Sequence, residues 1–121
     1  MQARLDAAQA IEERGDLDGA IAAYSRMIAD RGLTLAVHAY VHNCRGIDYR
    51  HEGRYADAIA DFNAAIRLRP AYAEAFNNRA IVRRALGQDR AALADYDAAI
   101  RIKPDFAEAY SNRGNVYKDE G

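Results

Sequence analysis

Apolar and polar positions alternate along the chain with helical spacing, interrupted at intervals by glycine or proline. From Tyr55, the residues Tyr55, Ala58, Ile59, Phe62, Ala65 and Ile66 fall at i, i+3, i+4 and i+7, the stripe of an amphipathic helix. Pro70 forbids that helix from continuing and disfavours helical geometry at Arg69. The whole stretch then recurs. GRYADAIADFNAAIRLRP, Gly53 to Pro70, returns as GQDRAALADYDAAIRIKP, Gly87 to Pro104, offset by 34 residues with nine of eighteen positions identical. A repeat of this period implies stacked supersecondary units, none of which buries its apolar face alone.

The same reading along the chain predicts seven helices and no strand. A weak first helix carries Leu5, Ala8 and Ile11 and ends at Gly15. A second, with Asp16 as N-cap and Leu17, Ala20, Ile21, Tyr24, Met27 and Ile28 at helical spacing, stops near Gly32. Thr34 caps a third that runs to about Glu52 and ends at Gly53, and the fourth is the stretch before Pro70. Tyr72 to Gly87 gives the fifth, Ala91 to Ile102 the sixth, and Phe106 to Gly121 the seventh. Residues 106–116 repeat residues 72–82 at six of eleven positions.

Composition narrows the class. The 17 basic and 18 acidic residues nearly cancel, which leaves no electrostatic footprint for nucleic acid or an anionic membrane. Cys44 is the only cysteine, so no intrachain disulfide forms and a reducing compartment is expected. No apolar run has the length of a membrane span and the N-terminus lacks the hydrophobic region of a signal peptide, so a soluble, cytoplasmic protein is expected.

These residues resemble the tetratricopeptide repeat family, with 34 residues per unit and two helices, A and B, in each. Counting from Ala39, the family's small residue at position 8 is Gly46, its aromatic at 11 is Tyr49, and positions 20, 24, 27 and 32 hold Ala58, Phe62, Ala65 and Pro70. From Ala73 the corresponding residues include Phe76, Ala80, Ala92, Tyr96, Ala99 and Pro104. From Ala107 only helix A is present, with Tyr110, Gly114 and Tyr117 in place and Gly121 at position 15. The first unit fits with repeat position equal to residue number but has Arg4 at position 4 and Gly32 at position 32. Its offset to the next unit is 38, so four residues are inserted within Leu33–His38, read as one extra turn at the start of the third helix. The resemblance implies an all-α, right-handed superhelical solenoid of about three and a half repeats. Their bounds are about 1–38, 39–72, 73–106 and an unpaired helix A at 107–121.

Small residues at Gly46, Ala58, Ala80, Ala92 and Gly114 mark close helix crossings. Arg45, Arg79 and Arg113 recur at position 7, and Asp61 and Asp95 at position 23. Each aspartate has two candidate partners, in its own repeat or in the next helix A. The cross-repeat pairs Asp61 with Arg79 and Asp95 with Arg113 are the preferred reading.

Little in the chain points to chemistry. His38 and His42 have the i, i+4 spacing of two metal ligands on one helix, but neither His51 nor Asp48 is an obvious third, and His42 sits at the packed position 4. No phosphate loop, nucleophile elbow or HExxH motif is present, and no catalytic residue, metal or cofactor is expected. Instead the resemblance implies a non-enzymatic protein-interaction module that takes a peptide segment of a protein partner along its helix A faces. Positions 2, 5, 6, 9, 12 and 13 of those helices give Tyr40, Asn43, Ile47 and Arg50, then Asn77, Asn78, Ile81 and Arg84, then Asn112 and Asn115. The carboxylate clamp of chaperone-binding relatives needs basic residues where this chain has Glu74 and Asn78, or Glu108 and Asn112, so an acidic chaperone tail is not the expected ligand. Asn78 and Asn112 resemble an asparagine ladder that holds a peptide backbone, since an amide both donates and accepts. Tyr110 and Tyr117 are expected to be partly uncovered. This favours as alternatives a module that homo-oligomerises through its C-terminal helix, or a targeting fragment of a larger protein such as an enzyme.

Overall fold

The computed structural model describes residues 1–120, which form α1 (Gln2–Glu13), α2 (Leu17–Ile28), α3 (Leu35–His51), α4 (Tyr55–Leu68), α5 (Ala73–Ala85), α6 (Asp89–Ile102) and α7 (Ala107–Glu120). No strand occurs among these residues, and Gly121, the expected position-15 glycine, lies outside them. None of the helices is long and apolar enough to cross a membrane. The chain divides into two compact units, Met1–Arg69 with α1 to α4 and Pro70–Gly121 with α5 to α7.

In the first unit the caps are those the sequence offers. Asp16 accepts from the Gly19 amide at 2.9 Å, and Thr34 Oγ1 accepts from the Val37 amide at 3.2 Å. The second helix ends at Ile28, short of Gly32, because Asp30 organises the connection. Its Oδ1 accepts from the Gly32 amide at 2.8 Å, its Oδ2 from Arg4 Nη1 at 2.7 Å, and its carbonyl lies 2.8 Å from His38 Nε2. The inserted residues lengthen α3 to 17 residues, against 13 in α5 and 14 in α7. Leu5, Ala8, Ala20, Tyr24, Met27 and Val41 make one core from α1, α2 and α3. Between α3 and α4 the packing is closer: a Cβ on Gly46 would lie 2.6 Å from Phe62 Cε1, so only glycine fits.

The α3–α4 and α5–α6 hairpins turn through a glycine in the left-handed region, Gly53 at φ +75° and Gly87 at φ +79°, as the α1–α2 hairpin does at Gly15 with φ +86°. The residues after Gly53 and Gly87 donate back into the preceding helix, Arg54 N to Tyr49 O and Gln88 N to Arg83 O, both at 2.8 Å. In the second unit Ala73, Ala80, Ala92, Tyr96, Ala99, Phe106, Ala109 and Val116 form the core. Ala92 has no exposed surface, so Ala92→Leu overpacks the α5 and α6 crossing by about 1–3 kcal/mol. A thermal melt should fall by several degrees, and an unchanged melt refutes the packing. Gly114 departs from the expected close crossing, for nothing lies within 4 Å of a Cβ placed there.

Within the second unit, the preferred cross-repeat pair of Asp95 with Arg113 is not formed. Arg45 grips Asp61 with Nε and Nη2 at 2.8 and 2.7 Å, and Arg79 grips Asp95 in the same way at 2.9 and 2.8 Å. Both pairs lie within a repeat, where helices A and B face each other across their buried contact. Arg113 donates to Asp97 at 2.9 Å, not to Asp95. Both aspartates are buried, and each has a second partner. His42 Nδ1 lies 2.9 Å from Asp61, and Arg83 donates to Asp95 at 2.9 Å. With the carboxylates so held by charged donors, removing the arginine would strand a buried charge.

Candidate peptide-binding faces

In the first unit, α1 and the start of α3 enclose an open recess of about 420 Å³ lined by Met1, Gln2, Leu5, Gln9, Ala36, Val37 and Tyr40. Tyr40 is 40% exposed, and its hydroxyl accepts from Gln9 Nε2 at 3.1 Å. No charged side chain lines the recess. Its apolar floor suits an aliphatic or aromatic side chain, and the amides of Gln2 and Gln9 suit a peptide backbone. Gln2, Leu5 and Gln9 are the first-repeat counterparts of Tyr40, Asn43 and Ile47. In the first repeat, positions 2, 5 and 9 are these three residues.

Of the remaining expected residues in this unit, Ile47 and Arg50 are half-buried, whereas Asn43 is buried and offers little to a ligand. Cys44 is partly buried below Tyr40. Burial pushes its thiol up to about 11, so it stays protonated near neutrality and is a poor nucleophile.

In the second unit the amides turn toward one another. Asn77, only 1% exposed, donates to Glu108 Oε1 at 3.2 Å and accepts from Asn112 Nδ2 at 3.3 Å. Asn77 is therefore a buried tie between α5 and α7, not an open rung. Asn78, Ile81 and Asn112 are half-buried and Asn115 is exposed. Arg84 is engaged by Asp119, and its guanidinium also reaches the Asn115 carbonyl at 3.5 Å. The basic group best placed on this face thus carries its own carboxylate.

Asp48 is a polar residue whose environment the sequence did not foretell. It has no exposed surface, and neither carboxyl oxygen has a hydrogen-bond partner among the described residues. Burial first, and then the neighbouring carboxyl of Glu12 on α1, push it up to about 8. Tyr24 of α2 donates to Glu12 Oε2 at 3.1 Å, and burial raises the tyrosine strongly as well. The two histidines of the expected metal spacing are engaged elsewhere, His38 with Asp30 and His42 with Asp61. No group of three or more His, Cys, Asp or Glu among the described residues is arranged to hold a metal ion.

Helical hairpins with glycine-turned ends, small residues at the crossings and a repeating arginine–aspartate grip define a helical-repeat protein. The TPR repeat profile matches residues 46–87 and 82–121, and the chain belongs to the tetratricopeptide repeat family. Among solved structures, the first TPR of Spaghetti (RPAP3), bound to the HSP90 peptide SRMEEVD, is similar at 21% identity and TM-score 0.88, over 98% of this chain and 90% of that one. The second TPR domain of human RPAP3, in complex with the HSP70 peptide SGPTIEEVD, is similar at 26% identity and TM-score 0.85, over 94% and 92%. The Arabidopsis OM64 TPR domain is similar at 18% identity and TM-score 0.88, over 98% and 94%. No curated protein matches the chain.

Proposed function

We propose that the chain is a non-catalytic interaction module that holds an extended peptide of a protein partner on its helix A faces. The observation that carries this reading is the recess between α1 and α3, free of charged side chains, with Leu5, Val37 and Tyr40 below and the amides of Gln2 and Gln9 at its edge. The similar RPAP3 domains hold chaperone peptides ending in EEVD, which supports a peptide as the ligand class. The recess favours an apolar anchor over such a tail, because no lysine or arginine side chain lines it. On the α5 and α7 face, Glu74 and Glu108 stand where a carboxylate would have to approach, and Arg84 is already paired with Asp119.

A cellulose-bound array of random peptides, probed with the wild-type chain and with Tyr40→Asp, tests the reading. Wild type should select peptides with an aliphatic or aromatic anchor and pass over SRMEEVD. Tyr40→Asp, which places a charge at a 40% exposed position, should lower that capture about tenfold, equivalent to ~1.4 kcal/mol, with little change in the thermal melt. Equal capture by both proteins, or preference for the acidic tail, removes the recess from the binding site.

A further inference from the structure

We infer that the outer face of α7 is a docking site for a partner's amphipathic helix carrying an Asp–aromatic pair, the pattern shared by α4 and α6. On α7, Tyr110, Gly114 and Tyr117 form a stripe at i, i+4 and i+7. The two tyrosines are 43% and 53% exposed, and Gly114 has open space beside it. The equivalent stripes on α3 and α5 are covered. Gly46 of α3 lies under Phe62 of α4, and Ala80 of α5 is fully buried in the core it shares with Ala92 and Tyr96 of α6. The chain thus contains two worked examples of what this surface accepts: a helix reading Ala-x-x-Asp-(Phe or Tyr)-x-Ala-Ala-Ile, as in Ala58 to Ile66 and Ala92 to Ile100.

Charge complementarity selects the aspartate. Arg45 reaches in two directions: Nη1 donates to Ser25 of the preceding α2 at 2.9 Å, while Nε and Nη2 hold Asp61 of the following α4. Arg113 repeats the first half of this arrangement, with Nη1 on Asp97 of the preceding α6 at 2.9 Å. Its guanidinium stands over the Tyr110 ring at 5.3 Å, as that of Arg79 does over Phe76. Among the described residues no carboxylate meets the Nε and Nη2 edge of Arg113, the edge with which Arg45 and Arg79 each hold an aspartate. A docking helix that sets its aromatic against Gly114 would bring the preceding aspartate to that edge, as Asp61 and Phe62 do at Arg45 and Gly46.

The test titrates a fluorescein-labelled synthetic peptide of residues 87–104 with the chain of residues 1–121 and follows anisotropy. Saturable one-to-one binding is expected. Asp95→Asn in the peptide should weaken it about tenfold, since a bidentate charge-assisted pair is lost. Arg113→Ala in the chain should erase the difference between the two peptides. Gly114→Leu should block binding without lowering the chain's own melt, because its side chain enters open space. An isolated segment of this length is a marginal helix in water, so the same eighteen residues are also appended behind Gly121 through a flexible linker. There a rise in Tm that Asp95→Asn in the appended copy or Gly114→Leu abolishes supports the site. Absence of an effect in both formats, or binding indifferent to Arg113 and Gly114, overturns it. So does concentration-dependent dimerisation abolished by Gly114→Leu, which would give the face to a second copy of the chain.

Discussion

Asp48→Asn should flatten the pH dependence of stability and make the chain more resistant to denaturant than wild type above about pH 8. A carboxyl raised to about 8 by burial binds its proton more tightly folded than unfolded. The stability it confers is therefore complete below its unfolded value near 4. It is lost as pH climbs toward 8, at about 1.4 kcal/mol per pH unit. The groups that face it work in the same direction: Glu12 from α1, Tyr24 from α2, Cys44 from α3 itself and Glu52 just beyond its end. Each is acidic, so none offers a positive charge to a carboxylate there. An asparagine is neutral at every pH and gives up the advantage at pH 4 together with the penalty at pH 8.5. Urea midpoints at half-unit intervals from pH 4 to 9 give the comparison. Parallel profiles for the two proteins would mean that Asp48 is solvated in solution.

Alanine at the two family glycines should act in opposite directions. Gly46→Ala puts a methyl group 2.6 Å from the ring of Phe62, which is itself fully buried and has nowhere to turn, so a loss of about 1–3 kcal/mol is expected. Gly114→Ala adds the same methyl group in open space on the middle of α7 and should gain about 0.5–1 kcal/mol from helix propensity alone. Paired urea curves read both. If Gly114→Ala destabilises, α7 is covered in solution, and the helix-docking inference needs a different occupant.

The two glycines also mark how far a sequence reaches. Period and stop signals depend on local chemistry, so Pro70 and Pro104, the caps at Asp16 and Thr34, and the extra turn of α3 are legible residue by residue. Position 8 is recognisable at both Gly46 and Gly114, but whether a neighbour lies over it depends on a second helix. The pairing of Asp95 with Arg113 fails for a related reason. Asp95 stands sixteen residues from Arg79 and eighteen from Arg113, and such spacing does not reveal which helix lies across from which. Asp48 falls on a helix that also carries Arg50 and His51, where a carboxylate passes for part of a wet side. Its burial follows from Glu12 and Tyr24 on helices many residues away. On the candidate binding face, Asn77 and Asn78 are indistinguishable by type, yet Asn77 is buried against Asn112 and Glu108 and Asn78 is half-exposed.

The two-directional arginine bears on cooperativity. In a repeat array, stability is close to a sum of terms within units and terms between neighbours. Arg45 contributes to both at once, because one planar group is bonded to Ser25 behind it and Asp61 ahead of it. Fraying of α2 costs the guanidinium an anchor it needs to hold α4, and loosening of α4 does the same in return. A lysine, a single point charge on a flexible stem, cannot hold both sides in that geometry. Arg45 of α3 thus ties α2 and α4 to one group, so that opening of either is expected to weaken the hold on the other.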